Sequence, residues 1–279
     1  MKKVSLTMAV LMGVSLTAGS AVTTFAEEAD KTELTVFAAA SMTETLDKIG
    51  AMYMEENPDV TVTFNYDSSG TLKTQIQEGA VCDLFISAGQ KQMNQLDITA
   101  DKEVNTEGLD FVDDATRINI LENKVTLCVT EDNEKGLKTF DDMKKGLEEG
   151  SILMAMGNSD VPVGQYTQKI LAYYGMDEEA LAKSGVISYG TNVKEVTTQI
   201  SEGSVDCGVI YCTDAFSAGL NIVDYATAEM CGQVIYPAAV LKTSEQADAA
   251  KAFLDYIQND ECMKIFEEVG FSRIETADK

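Results

Sequence analysis

The sequence contains no histidine, and only two of its 279 residues are arginine, Arg117 and Arg273. Without histidine there is no Ser-His triad, no imidazole base and no H-E-x-x-H zinc site. The six cysteines form no C-x-x-C pair, which argues against a thiolate zinc centre as well. No G-x-S-x-G elbow and no G-x-x-x-x-G-K-[ST] phosphate loop occurs. A carboxylate-based exported enzyme stays open as an alternative, because acids are plentiful, but no pair of them is singled out. Basic residues are few: 21 Lys plus Arg stand against 46 Asp plus Glu, a net charge of −25. Such a chain lacks the basic patch that nucleic acid or an anionic lipid surface requires. Internal repeats, low-complexity tracts and an exposed aromatic stripe are also missing, which argues against an adhesion protein.

Long apolar runs are confined to the start. Residues 1–26 read as a signal peptide: Lys2 and Lys3, an apolar stretch around Met8 to Leu16, then Thr24-Phe25-Ala26 as a cleavage site. A membrane anchor is the competing reading, but Ser and Thr break the run and it is short for a span. The expectation is an exported protein, periplasmic or at the cell surface. With no cysteine in 1–26, lipid attachment through a processed cysteine is not expected. Export permits disulfides, and six cysteines allow 15 pairings. Cys207 and Cys212 flank a strand-like "GVIY", which puts them about 16 Å apart and beyond one bridge. Buried thiols are the favoured reading of all six.

The rest alternates short apolar runs with helical periodicity. "ELTVFAAA" (Glu33 to Ala40) is followed by Met42, Leu46, Ile49 and Tyr53 on one helix face, ending at Asn57-Pro58. "VTVTF" (Val60 to Phe64) precedes a helix through Leu72 and Ile76, and "DLFIS" is a short buried strand. "KVTLCV", "SILMAM", "GVISYG", "CGVIYC" and "QVIYPAAVL" read as further strands, with helices over Pro162 to Tyr174, Val193 to Glu202 and Ser244 to Gln258. The pattern predicts an α/β protein with parallel-rich sheets and helices on both faces. Ligands of such sheets sit beyond the carboxyl ends of strands, so the strand-to-helix junctions are the candidates.

Five junctions stand out. In "VFAAASMTETL", Ser41 either forms a capping box with Glu44 or offers its hydroxyl and N–H to a ligand. In "NYDSSGTLKTQI", Ser69 opens a helix, and Gly70 lacks the side chain that would crowd a bound group. In "GNSDVPVGQYT", Pro162 suits the first helical position, which leaves first-turn N–H groups at Val163 and Gly164. Val193 lies near a helix start in "GTNVKEV", and Tyr211 ends an apolar strand in "GVIYCTDA".

Taken in order, "TVFAAAS", "SSGTL", "EGAVCDLFISAG", "VPVGQY", "GVIY" before "TDA", "YPAAV" and a final "GF" resemble the substrate-binding proteins of molybdate ABC importers. The resemblance runs from Glu33 to Phe271. It implies a two-lobe periplasmic-binding fold of type II, with two crossing strands as hinge. One lobe would span residues 30–116 plus 233–279, and the other 117–232. It implies molybdate or tungstate held between the lobes by the hydroxyls and N–H groups of Ser41 and Ser69, by backbone N–H groups of Val163 and Val193, and by the Tyr211 hydroxyl. No cofactor or direct metal ligand is implied, since molybdenum arrives as its oxyanion. The implied partners are a membrane permease and an ATPase, served by a monomer. A binder of another small anion, such as sulfate or an organic acid, is the alternative. Helix N-termini and hydroxyls attract a dianion without a fixed arginine, so the chain can stay acidic overall.

Overall fold

The computed structural model describes residues 31–274; the expected signal peptide, 1–26, lies outside them. The described strands are β1 Thr32–Ala39, β2 Val60–Asp67, β3 Leu84–Ile86, β4 Ile118–Asn123, β5 Val125–Val129, β6 Met154–Gly157, β7 Ile187–Gly190, β8 Cys207–Tyr211, β9 Asn221–Tyr225, β10 Val234–Val240 and β11 Ser272–Arg273. The helices are α1 Thr43–Glu56, α2 Ser69–Gln77, α3 Gln90–Leu96, α4 Phe140–Glu149, α5 Pro162–Tyr173, α6 Glu178–Lys183, α7 Val193–Ser201, α8 Cys212–Ala218, α9 Ala228–Cys231, α10 Ala247–Tyr256 and α11 Asp260–Glu268.

Two sheets result, in the orders β11-β4-β10-β3-β1-β2 and β7-β6-β8-β5-β9. Both are mixed, not simply parallel. β1 runs parallel to β2 and β3, and β6 runs parallel to β7 and β8. β10 is antiparallel to β3 and β4, and β5 is antiparallel to β8 and β9. The antiparallel pairs involve the strands through which the chain passes from one sheet to the other. A strand that enters a βα-wound sheet from its neighbour need not run the way the crossover helices impose on the others.

The change of sheet occurs at Lys124, the one residue between β4 and β5, and again between β9 and β10. The division expected at 116/117 therefore falls ahead of β4, a strand that hydrogen-bonds within the six-stranded sheet. The two sheets with their helices are the two lobes of a periplasmic-binding fold.

Local packing follows the sequence periodicity. Leu46, Ile49 and Tyr53 are buried along the inner face of α1, and Met42 is buried just ahead of it in a 3-10 turn; burying a Leu or Ile side chain contributes about 1.5–3 kcal/mol. Strands β5 and β8, at the centre of the second sheet, are buried along their whole length. All six cysteines are buried free thiols, including Cys207 and Cys212. No described helix is long and apolar enough to cross a membrane.

Candidate functional site

Strand register sets the site. Ala39 of β1 lies opposite Asp67 of β2, and Ala38 opposite Ile86 of β3. The residues just past these strand ends, Ser41, Ser68, Ser69 and Ala88, are therefore brought side by side. In the other sheet, Gly157 of β6 lies opposite Gly190 of β7, so the starts of α5 and α7 come together. The two groups face one another across a small cavity. Its walls include Ser41, Asp67, Ser68, Ser69, Val163, Val193 and Tyr211, with about 200 Å³ of empty space counting the part open to solvent. All five residues singled out from the sequence line it. Neither arginine does: Arg117 is held by Asp97, Gln90 and Asn94, and Arg273 pairs with Asp260.

The capping box expected as one reading of Ser41 does not form. Ser41 lies in a 3-10 turn, Ala40–Met42, and α1 has no side-chain cap. Its hydroxyl instead meets the Tyr236 hydroxyl at 2.8 Å. At α2 the cap is Ser68, whose Oγ accepts the Thr71 N–H at 3.1 Å. Ser69, the next residue, is fully buried, and its Oγ accepts the Ala88 N–H at 2.9 Å. That leaves the Ser69 hydroxyl hydrogen free to point into the cavity.

The helix starts on the other side are open in a similar way. α5 begins with Pro162 after Val161, with no side-chain cap, so the first-turn N–H groups have no side-chain acceptor. Asn192 caps α7, but its Oδ1 accepts from Glu195, two residues beyond Val193. The Tyr211 side chain is almost fully buried, with its hydroxyl 3.5 Å from the Ala88 carbonyl of the opposite sheet. Burial pushes its phenol well above the ordinary tyrosine range, so it remains a neutral donor.

Gly70 has a different purpose from the one expected, and Gly164 also serves close packing. A Cβ on Gly70 would stand 2.2 Å from the Asp160 carbonyl oxygen, so Gly70 allows the two sheets to approach. A Cβ on Gly164 would stand 2.2 Å from the Asn158 carbonyl oxygen, so Gly164 lets α5 start tightly against the end of β6.

Sequence reasoning missed three residues, Asn123, Tyr236 and Asp67. Tyr236 bridges Ser41 to Asn123, whose Nδ2 lies 3.1 Å from the Tyr236 hydroxyl and 3.0 Å from Thr213 Oγ1. The β-bulge between Tyr236 and Pro237 follows from the missing proline N–H and redirects the local side chains. Asp67 places a carboxylate on the wall; its Oδ1 accepts the Ser68 N–H at 2.7 Å and faces Asn192 Nδ2 at 3.4 Å. Lys194, beside Val193, reaches Glu44 of the opposite sheet at 2.7 Å. The signal for Asp67 was present in "YDSSG", an acid directly before the paired serines; Asn123 and Tyr236 carried none, because their contacts cross long stretches of chain.

The arrangement can hold an anion through neutral donors. It offers no nucleophile-base pair and no positive side chain among the lining residues.

Residues 34–272 match the family of bacterial extracellular solute-binding proteins. A Bacillus subtilis chain with the provisional name ABC transporter substrate-binding lipoprotein YvgL is 32% identical, over 97% of this chain and 98% of its own length. The molybdate-binding protein ModA of Escherichia coli is 30% identical, over 88% of this chain and 90% of its own length. Among solved structures, the periplasmic molybdate-binding protein of Azotobacter vinelandii shares the fold with a TM-score of 0.72 at 21% identity, covering 87% of this chain and all of that one. The sulfate-binding protein SubI of Mycobacterium tuberculosis shares it at 0.68 and 20% identity, over 88% of both chains. The chain is thus no enzyme but a member of the bacterial extracellular solute-binding protein family, the substrate-binding component of an ABC transporter.

Proposed function

We propose that this protein captures a tetrahedral oxyanion, molybdate or tungstate, between its two lobes outside the cytoplasm and delivers it as a monomer to a membrane permease and ATPase. The observation that carries this reading is the cavity wall. It gathers the Ser41 and Ser69 hydroxyls, the Tyr211 hydroxyl, the uncapped first turn of α5 at Val163 and the start of α7 at Val193, where the Asn192 cap takes the Glu195 N–H, with no cationic side chain among its lining residues. In this reading those five residues are the ligand-binding set. Helix N-termini and hydroxyls bind a dianion reversibly, which suits a protein that must release its cargo. The molybdate-binding names carried by relatives support the same ligand class.

The test is a thermal-shift panel of molybdate, tungstate, sulfate, phosphate and chromate. A ligand at 100 times its Kd stabilises the fold by about 2.7 kcal/mol, so a true ligand stands out. Molybdate and tungstate are expected to shift the melting temperature most. An equal or larger shift with sulfate or phosphate would assign the protein to another anion.

A further inference from the structure

Ser41 differs from the other donors of the cavity in that its hydroxyl is one link of a buried chain. The chain begins at Asn123, the last residue of β4. The Lys124 backbone N–H lies 2.8 Å from Asn123 Oδ1, and only an acceptor can face an N–H, so this contact fixes which end of the amide is oxygen. The other end, Nδ2, can only donate. It stands 3.1 Å from the Tyr236 oxygen and 3.0 Å from Thr213 Oγ1. The Tyr236 oxygen therefore accepts from Asn123; of the two directions open to its 2.8 Å contact with Ser41 Oγ, donation by Tyr236 is the one that gives its own hydrogen an acceptor. Asn123, Tyr236 and Ser41 are all buried, and Tyr236 has no exposed surface, so no solvent competes for these bonds. Burial also holds the Tyr236 phenol well above its ordinary pKa, which keeps that hydrogen in place.

We infer that Asn123 and Tyr236 are positioning residues that force Ser41 to donate its single hydrogen into the cavity. The inference rests on the reading that an anion occupies this cavity. With a lone pair of Ser41 Oγ held by Tyr236, the hydroxyl presents a donor and not an acceptor to the ligand. This makes Ser41 selective: it rewards a fully deprotonated oxyanion and gives nothing to the proton carried by hydrogen phosphate. Ser69 is set in the same sense by the Ala88 N–H, but there the constraint is backbone and cannot be removed by substitution.

The experiment compares the wild type with Tyr236→Phe, Ser41→Ala and the double variant, reading molybdate and phosphate affinity by calorimetry at one pH. Tyr236→Phe frees the Ser41 oxygen, so its hydrogen is no longer directed. Molybdate affinity is expected to fall about 3- to 10-fold, part of the effect of losing a whole bond to a charged group. Phosphate affinity should hold or rise, so the molybdate-to-phosphate ratio narrows. In the Ser41→Ala background, Tyr236→Phe should change neither. A purely structural tyrosine would weaken both anions alike and would do so with or without Ser41; that result, or unchanged molybdate binding by Tyr236→Phe, would overturn the inference. Asn123→Ala provides a second variant and should narrow the same ratio. A wild type that binds none of the tetrahedral anions would overturn the proposed function itself.

Discussion

Lys194 and Glu44 join the two lobes. The ammonium lies 2.7 and 2.8 Å from the two Glu44 carboxylate oxygens, and Glu44 sits on α1 over the six-stranded sheet while Lys194 sits on α7 of the other. The same ammonium lies 3.4 Å from Oδ1 of Asp214, a buried residue of α8. A cleft that opened about the two crossings would separate Glu44 from Lys194 and leave Lys194 with Asp214. The pair therefore favours the closed form. Glu44→Gln keeps the shape and removes the charge. Because the pair is partly exposed, anion release is expected to quicken only about 2- to 5-fold. Stopped-flow dissociation checks this, and an unchanged rate would show that the pair contributes nothing to closure.

Asp214 gives a pH signature. Burial pushes its carboxyl up to about 6, an effect that Lys194 opposes and Glu44 reinforces. The Tyr236 and Tyr211 phenols and the Cys128 thiol from neighbouring strands, and the Cys212 thiol from its own helix, lie near it, and all are neutral at these pH values. Below the unfolded value of 3.8 the group is protonated in both states and has no effect on stability. As pH rises through 3.8 towards 6, the unfolded chain ionises first and stability is lost; above 6 the full cost is present. A shift of this size corresponds to about 3 kcal/mol. Asp214→Asn should therefore stabilise the protein at pH 8 by up to that amount and do little below pH 4. Urea denaturation across this range measures it.

The two neighbouring serines should separate cleanly. Ser41→Ala and Ser69→Ala each delete a hydroxyl facing the cavity, and each is expected to weaken molybdate binding about 10- to 150-fold, the range for bonds to a charged group. Tyr211→Phe should fall in the same range. Ser68→Ala removes the cap of α2 and should cost about 1 kcal/mol of stability, with a smaller loss of affinity. Val163→Ala should bind as the parent does, since only its N–H is invoked. Calorimetry paired with melting curves distinguishes the two kinds of effect.

Asp67 places negative charge against the proposed dianion. Asp67→Asn keeps the acceptor that holds the Ser68 N–H and removes the charge. Molybdate affinity is expected to rise several-fold at low salt, and the gain should shrink as salt screens the interaction. Weaker binding would instead identify Asp67 as a partner of a protonated ligand.

A net charge of −25 repels an approaching dianion. The screening length falls from about 30 Å at 0.01 M salt to about 8 Å at 0.15 M, whereas bonds inside the closed cavity are far less exposed to ions. The association rate should therefore rise with NaCl while the dissociation rate changes little. Lys194 does not reverse this, because Glu44 and Asp214 already share its charge. An association rate that falls with salt would contradict the prediction.

Sequence periodicity revealed the elements whose apolar faces repeat without interruption. Met42, Leu46, Ile49 and Tyr53 marked α1, and short apolar runs marked β5, β6 and β8. β4 was missed because Asn119, Glu122 and Asn123 interrupt its apolar residues, and Asn123 is buried for its hydrogen bonds rather than its hydrophobicity. α4 was readable but unread: Thr139 and Asp142 form a capping box before buried Phe140, Met143 and Leu147. The cavity wall was legible because strand ends and helix starts are local features. Its inner support was not, since Ser41 and Tyr236 are 195 positions apart and Asn123 and Tyr236 113.

Asn123 precedes Lys124, the residue at which the chain leaves the six-stranded sheet. Asn123, Tyr236 and Ser41 thus travel with one lobe, as does the Ala88–Ser69 contact. On the proposed reading both serine hydroxyls stay aimed by contacts within their own lobe, while Val163, Val193 and Tyr211 belong to the other lobe. An incoming anion would land first on the serine side, and the second lobe would then fold down over cargo already seated. If these five residues hold the anion, the order of events in capture follows from which side of Lys124 each donor lies on.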